Sequence, residues 1–278
     1  SMTGGSDRAH ELNRRLASMV KKFQIGFGLG SCRCLIDSND RFEDFNLRPI
    51  IGDNVPFFAN IGIAQLEYLN SSPEKKRFFL SQLSHLDVDG LIIHVNPLQE
   101  WLQLEGDRLT RSPIETITRF IDSHPDMKIV VKEVGQGFGP QSMNELLHLP
   151  IAGVEFGAFG GTNFSKLESL RGNKRAAQTD LAYVGHTVSE MIEFFNDTLK
   201  SSKLISEKHV ILSGGIKNFL DGHYYKELID SPSIIGMAGE VLRHALKGEE
   251  VLENFMEQQI EGLTFANHFL TLKKGNNR

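Results

Sequence analysis

His94, Asn96, Gln99 and Glu100 fall within seven residues of "IIHVNPLQE", an imidazole, two amides and a carboxylate that follow an apolar run with no charge after Asp89. A carboxylate beside neutral amides and an imidazole is an oxygen-rich seat for Mg²⁺ and an anionic substrate. The plainer reading is a polar strand end whose groups bond neighbouring loops. His94 and Asn96 stand two apart, so on a strand their side chains share a face. Pro97 then stops the strand, and Gln99-Glu100 open the following loop. Lys132 lies inside the apolar run "KIVVKEVG". An interior ammonium needs an anionic or electron-rich partner. Two partners fit: a carboxylate on a neighbouring strand, or the pyrimidine edge of a flavin, where negative charge collects on reduction. Glycine clusters supply a third kind of chemistry. "FGGTN" (159–163), "LSGGIK" (212–217) and "GMAG" (236–239) each follow an apolar run. Any one of them is a turn, but two on consecutive final strands make a phosphate site of backbone N–H groups. "GFGLGS" is different: it is not G-x-G-x-x-G and opens no helix, so it is a weak dinucleotide signal.

Groups of this kind need strand ends to carry them, and the chain provides seven candidates: 23–30, 56–62, 90–96, 128–135, 153–160, 209–216 and 233–239. Helical patterns separate them. Residues 6–23 repeat apolar side chains at helical spacing, with Ser6 as the N-cap. Ser71-x-x-Glu74, Ser112-x-x-Glu115 and Thr187-x-x-Glu190 fit capping boxes. Repeated βα units imply a parallel sheet. Seven strands suit an open doubly wound sheet, whereas a closed (β/α)₈ TIM barrel needs eight. The barrel is preferred, because functional-looking residues end every strand. "SMTGG" reads as the end of a strand, which places the first barrel strand upstream of Ser1; "LAYVGHT" (181–187) is the fallback for an eighth strand. Residues 1–278 are read as a single domain, N-terminally incomplete.

At 278 residues and 40% hydrophobic, the chain can bury a sizeable core. A formal charge of −5 with no Lys/Arg run longer than three argues against a nucleic-acid or anionic-membrane surface. Cys32 and Cys34 are too close for an ordinary disulfide and too few for structural zinc, so free thiols in a reducing cytoplasm are expected. No stretch has the length of a membrane span.

Taken in order, "SMTGG", "GSCR", "ANIGIAQL", "HVNPLQE", "LEGD", "VVKEVGQG", "FGGTN", "SGGI" with Asp221, and "GMA" resemble the FMN-dependent type 2 isopentenyl-diphosphate isomerases over nearly the whole chain. The resemblance implies a (β/α)₈ barrel with FMN at its C-terminal mouth and Mg²⁺ helping to hold a substrate diphosphate. It implies that Met2, Thr3, Gly4, Ser31, Asn60, Lys132 and Thr162 contact FMN, and that Gly215, Ile216, Lys217, Ala238 and Gly239 hold its phosphate end. Ser31, Arg33, His94, Asn96 and Gln99 would face the substrate, with Gln99, His94 and Asn96 as the catalytic group and Glu100 as the Mg²⁺ ligand. The implied reaction is a 1,3-proton shift in isoprenoid biosynthesis, with NAD(P)H needed only to reduce the flavin, in a cytoplasmic homo-oligomer. Departures are marked: the family's GSQR reads GSCR here, GGTSW reads GGTNF, QPEGD reads QLEGD, GGIR reads GGIK and GMAR reads GMAG. The family's Arg-Lys and His diphosphate clamp precedes these motifs, so its counterpart is expected upstream of Ser1. The alternatives are an FMN oxidoreductase of the hydroxy-acid oxidase type and a non-catalytic flavin- or phosphate-binding relative.

Overall fold

The computed structural model describes residues 3–103, 106–170, 176–201 and 208–273. Its strands are β1 (Phe27–Gly28), β2 (Phe57–Gly62), β3 (Gly90–Val95), β4 (Ile129–Glu133), β5 (Gly153–Glu155), β6 (His209–Leu212) and β7 (Ser233–Ile235). They form one sheet in chain order, and every neighbouring pair is parallel. Parallel neighbours need crossover connections, which the helices supply. These are α1 (Asp7–Phe23), α2 (Arg48–Ile51), α3 (Ile63–Ser71), α4 (Pro73–His85), α5 (Pro97–Leu102), α6 (Pro113–Ser123), α7 (Pro140–His148), α8 (Phe164–Leu170), α9 (Val188–Ser201), α10 (Phe219–Leu228), α11 (Gly239–Ala245) and α12 (Glu249–Phe269). A strand order with no reversal is that of a barrel wall; a doubly wound sheet would reverse at a switch point.

All seven expected strands are present, but several stop early at glycine-rich ends, and the one expected over 23–30 shrinks to Phe27–Gly28 because Phe23 still belongs to α1. Gly157, Gly160, Gly214 and Gly215 have φ between 53° and 117°, outside the extended region, so each tail leaves the ladder and becomes a loop. The fallback for an eighth strand fails, since a 3₁₀ helix occupies Ala176–Tyr183.

Alternate strand positions divide between two sides. Leu91, Ile93, Val95, Val131, Val154, Val210 and Leu212 join Phe120, Met143 and Phe195 of the helices in the main core. The intervening residues, among them Asn60, His94 and Lys132, line the opposite, concave face. The apolar stripe of helix α1 is covered by the C-terminal helices: Leu12, Leu16 and Met19 pack with Ala245 of α11 and with Leu252 and Met256 of α12 in a second cluster.

Local capping is largely as expected. Ser6 accepts from the Ala9 N–H, and Ser112 from the Glu115 N–H at 3.2 Å. Ser71 does not cap: it is the last residue of α3, its hydroxyl donates back to the Tyr68 carbonyl, and Ser72 precedes Pro73 without a side-chain cap bond. Thr187 and Glu190 form a reciprocal box, Thr187 N–H to Glu190 Oε2 at 2.7 Å and Glu190 N–H to Thr187 Oγ1 at 3.4 Å. Those bonds from Thr187 hold the Glu190 carboxyl below its ordinary range. Their contribution is therefore present at neutral pH and is lost as pH falls through the carboxylate range. Thr187→Ala is expected to lower stability by about 1 kcal/mol, measured by urea denaturation at pH 7.

Candidate active site

The sheet register builds the site. Gly62 pairs with His94, His94 with Lys132, and Lys132 with Glu155, so these positions form a row across the C-terminal ends of β2 to β5. Paired positions of parallel strands share a face, and Asn60, two before Gly62, lies on it as well. Asn60 Oδ1 stands 2.6 Å from His94 Nδ1. An amide oxygen only accepts, so Nδ1 carries the proton and the neutral ring keeps its lone pair on Nε2. Burial, then Lys132, then Arg33 push the His94 pKa down to about 3. His94 is therefore an acceptor at neutral pH and contributes no positive charge. The unfolded chain protonates first, so this residue removes stability as pH falls below about 6.5, down to the folded pKa. NMR titration of the His94 ring is expected to show no protonation between pH 8 and pH 5.

Lys132 is buried, and its Nζ donates to the Glu133 backbone oxygen at 2.8 Å. Glu155, in register beside it, accepts instead from Ser213 Oγ at 3.0 Å. The Glu133 side chain anchors the loop that follows: Oε2 accepts from the N–H groups of Val134, Gly135, Gln136 and Gly137 at 2.6–2.8 Å. Burial pushes its carboxyl up, while the Gln136, Gly137 and Gly135 amides and Lys132 pull against that shift. Sequence reasoning missed Glu133, Glu155 and Ser213. For the two glutamates the available signal was the one that exposed Lys132, a charge inside an apolar strand; Ser213, uncharged and just beyond β6, offered none.

Asn96 corrects the expectation of a shared strand face with His94. It lies just beyond β3 as the residue before α5, with φ −136° and ψ 43°, and Gln99 and Glu100 belong to that helix, not to a loop. Pro97 causes this: it has no N–H for the ladder and suits the first helical turn. The outcome is two groups, His94 with Asn60, and Asn96 with Gln99 and Glu100. Asn96 Nδ2 donates to Glu100 Oε1 at 2.9 Å and to Gln99 Oε1 at 3.3 Å. Glu100 Oε2 accepts from the Asp107 N–H at 3.1 Å. Asn96 Oδ1 is buried without a hydrogen-bond partner. Among the described residues no three His, Cys, Asp or Glu side chains cluster as a metal cage.

Met2 lies outside the described residues. Thr3 and Gly4 press on the end of the β1 segment: a Cβ on Gly30 would stand 2.2 Å from the Thr3 carbonyl oxygen. The Thr3 hydroxyl bonds the buried Asn13. Ser31 is half-buried and Arg33 is exposed, whereas Cys32 between them is fully buried. Cys32 Sγ lies 3.5 Å from the Gly30 carbonyl, and burial pushes the thiol up to about 12. Its side chain belongs to the main hydrophobic core. On the far side the loops after β5, β6 and β7 converge. A Cβ on Gly161 would meet Gly215 N at 2.9 Å, and one on Gly239 would lie 3.7 Å from Thr162 Oγ1. Ile216 is buried in the core, so only its backbone remains for a ligand, and Lys217 is exposed with its N–H on Asp221 Oδ2. Ala238 caps the start of α11 and Gly239 is its first residue. A cleft of about 400 Å³ opens along Gly160, Gly161, Thr162 and Asn163.

No protein-family model matches the chain. Curated isopentenyl-diphosphate delta-isomerases do. That of Rickettsia akari is 33% identical over 265 residues, covering 94% of this chain and 72% of the relative. That of Rickettsia africae is 33% identical over 267 residues, covering 95% and 74%. The chain belongs to the isopentenyl-diphosphate delta-isomerase family. Solved structures agree on the fold at lower identity. The flavin-binding domain of baker's yeast flavocytochrome b2 matches with TM-score 0.63 and 12% identity over 98% of this chain and 65% of that one. A lactate oxidase of Pediococcus acidilactici matches with TM-score 0.61 and 12% identity over 96% and 70%. A further flavocytochrome b2 structure is spanned over only 54% of its length, with TM-score 0.56. These likenesses give this isomerase relative a TIM-barrel α/β fold, seven of whose strands lie among the described residues. Among those residues no helix is long and apolar enough to cross a membrane.

Proposed function

We propose that this chain acts as a type 2 isopentenyl-diphosphate delta-isomerase, one FMN-binding barrel domain over 1–278 that converts isopentenyl diphosphate to dimethylallyl diphosphate with reduced FMN and Mg²⁺. The observation that carries it is the pair of groups at one strand-end level, Asn60–His94 beside Lys132 and Asn96–Gln99–Glu100, in a chain of this family. The residues fit a flavin. Lys132 puts a buried ammonium on the concave face. Gly161 and Gly214 let the loops after β5 and β6 pack backbone to backbone, since a Cβ would stand 2.9 Å from Gly215 N and 2.3 Å from Ala158 N, and the cleft along Gly160–Asn163 opens beside them. The FMN contacts assigned to Thr3, Ser31, Asn60, Lys132 and Thr162, and the phosphate contacts of residues 215–217, 238 and 239, belong to this reading.

An unactivated alkene is a very weak base, and its protonated form is a tertiary carbocation that must be kept from water. Bound reduced FMN supplies the proton donor and acceptor for the allylic shift, and NAD(P)H supplies its reducing equivalents. The chain's own groups bind and orient. Gln99 is too weak an acid to donate at neutral pH, so with Asn96 it positions the substrate. Neutral His94 offers the Nε2 lone pair to a hydrogen-bond donor, and Arg33 offers a fixed charge to the diphosphate. Glu100 provides one hard oxygen donor beside the unpaired Asn96 Oδ1, a set that fits Mg²⁺ completed by phosphate oxygens and water.

Incubation with isopentenyl diphosphate, reduced FMN and Mg²⁺ is expected to yield dimethylallyl diphosphate, followed by proton NMR. Oxidation of a 2-hydroxy acid with no isomerisation would overturn the reading in favour of an oxidase. Against that alternative, His209 opens β6 at its N-terminal end, remote from the mouth where a base would be needed.

A further inference from the structure

We propose that Gln65 is a positioning residue for Glu100, acting through Asp107, so that helix α3 sets the direction of the cation-binding carboxylate. The inference rests on the reading of Glu100 as the Mg²⁺ ligand and adds how that ligand is held. Gln65 lies in the first turn of α3, directly after the glycine at the end of β2. A Cβ on Gly62 would stand 2.3 Å from Gln65 Oε1 and 2.9 Å from His94 Nε2, so the missing side chain is what admits the amide beside the imidazole. From there Gln65 Nε2 donates to Asp107 Oδ2 at 2.8 Å. Asp107 in turn gives its backbone N–H to Glu100 Oε2 at 3.1 Å.

The two oxygens of Glu100 are therefore held from different places. Oε1 takes Asn96 Nδ2, which the start of α5 fixes locally. Oε2 depends on a segment beyond α5 that is pinned to α3 at two points, Asp107 to Gln65 and Thr110 N–H to Glu67 Oε1 at 3.1 Å. A carboxylate that accepts one donor on each oxygen keeps its remaining lone pairs in a defined direction. A hard cation with few protein ligands relies on that direction, and partners behind a ligand commonly set it.

The test uses the full chain with Gln65→Leu, Asp107→Ala, Asp107→Asn and Glu100→Gln. Two readouts apply: Mn²⁺ binding with inorganic pyrophosphate, from loss of the free-ion EPR signal, and amide hydrogen exchange of the 106–110 segment by mass spectrometry. Gln65→Leu and Asp107→Ala are expected to weaken Mn²⁺ about three- to tenfold, the range of one hydrogen bond, and to speed exchange. Asp107→Asn keeps an acceptor for Gln65 and should stay within about twofold. Equal losses in Asp107→Asn and Asp107→Ala, or wild-type binding in Gln65→Leu beside a weakened Glu100→Gln, would overturn the relay and leave the Glu100 reading standing. Wild-type binding in Glu100→Gln would remove the ligand assignment and this inference with it.

Discussion

Replacing Lys132 by Ala in the flavin-loaded protein is expected to lower the flavin midpoint potential by about 30–60 mV, because a charge-assisted hydrogen bond is worth about 1.5–3 kcal/mol and 30 mV corresponds to about 1.4 kcal/mol for two electrons. The ammonium is buried on the concave face, and Nζ already has one backbone acceptor, Glu133 O. Its other two hydrogens are available to a ligand whose negative charge grows on reduction. Reduced FMN should therefore lose affinity by more than oxidised FMN, and Lys132→Arg, which keeps the charge, should recover part of the shift. Spectroelectrochemical titration measures both. A potential unchanged in the Ala variant would confine Lys132 to holding the Glu133 peptide.

Gly157→Ala is expected to cost about 2–5 kcal/mol of stability, combining the penalty for left-handed backbone with that for overpacking. Its φ is 53°, and a Cβ would stand 1.9 Å from the Glu133 carbonyl oxygen and 2.4 Å from its carbon. The methyl group would collide with the same peptide that receives Lys132 Nζ, so flavin affinity should fall together with stability. Gly52→Ala separates the two penalties. Gly52 also has positive φ, 81°, but its Cβ would meet nothing within 4 Å. Its ψ of −176° places it in the positive-φ extended region that is essentially reserved for glycine, so only a backbone cost of about 1–3 kcal/mol should appear there. Equal urea midpoints for the two variants would show that the β4–β5 contact yields without cost.

Much of the frame is legible without coordinates, because its signals are local. Runs such as "GLIIHV" and "KIVVKE" name their strands through apolar content and length, and Thr187 with Glu190 names a helix start through a contact three residues apart. The site is partly legible for the same reason: His94, Lys132 and the glycine tails all sit where strands end. Ser71 shows where local reading fails, since a capping pattern cannot tell that the preceding helix has already claimed the serine.

What the sequence determined by itself is the set of βα units and the chemical types offered at their ends, since both follow from patterns within a few residues. Tertiary structure decided the state and direction of those groups. His94 is neutral because burial and the charges of Lys132 and Arg33, from other elements, act on it. Cys32 turns to the core, although half-buried Ser31 and exposed Arg33 flank it. Glu100 is held by an amide 7 residues along the chain, itself tied to a helix 42 residues away from Asp107 in sequence. Electric fields and hydrogen bonds act between neighbours in space, and only the folded register brings those neighbours together.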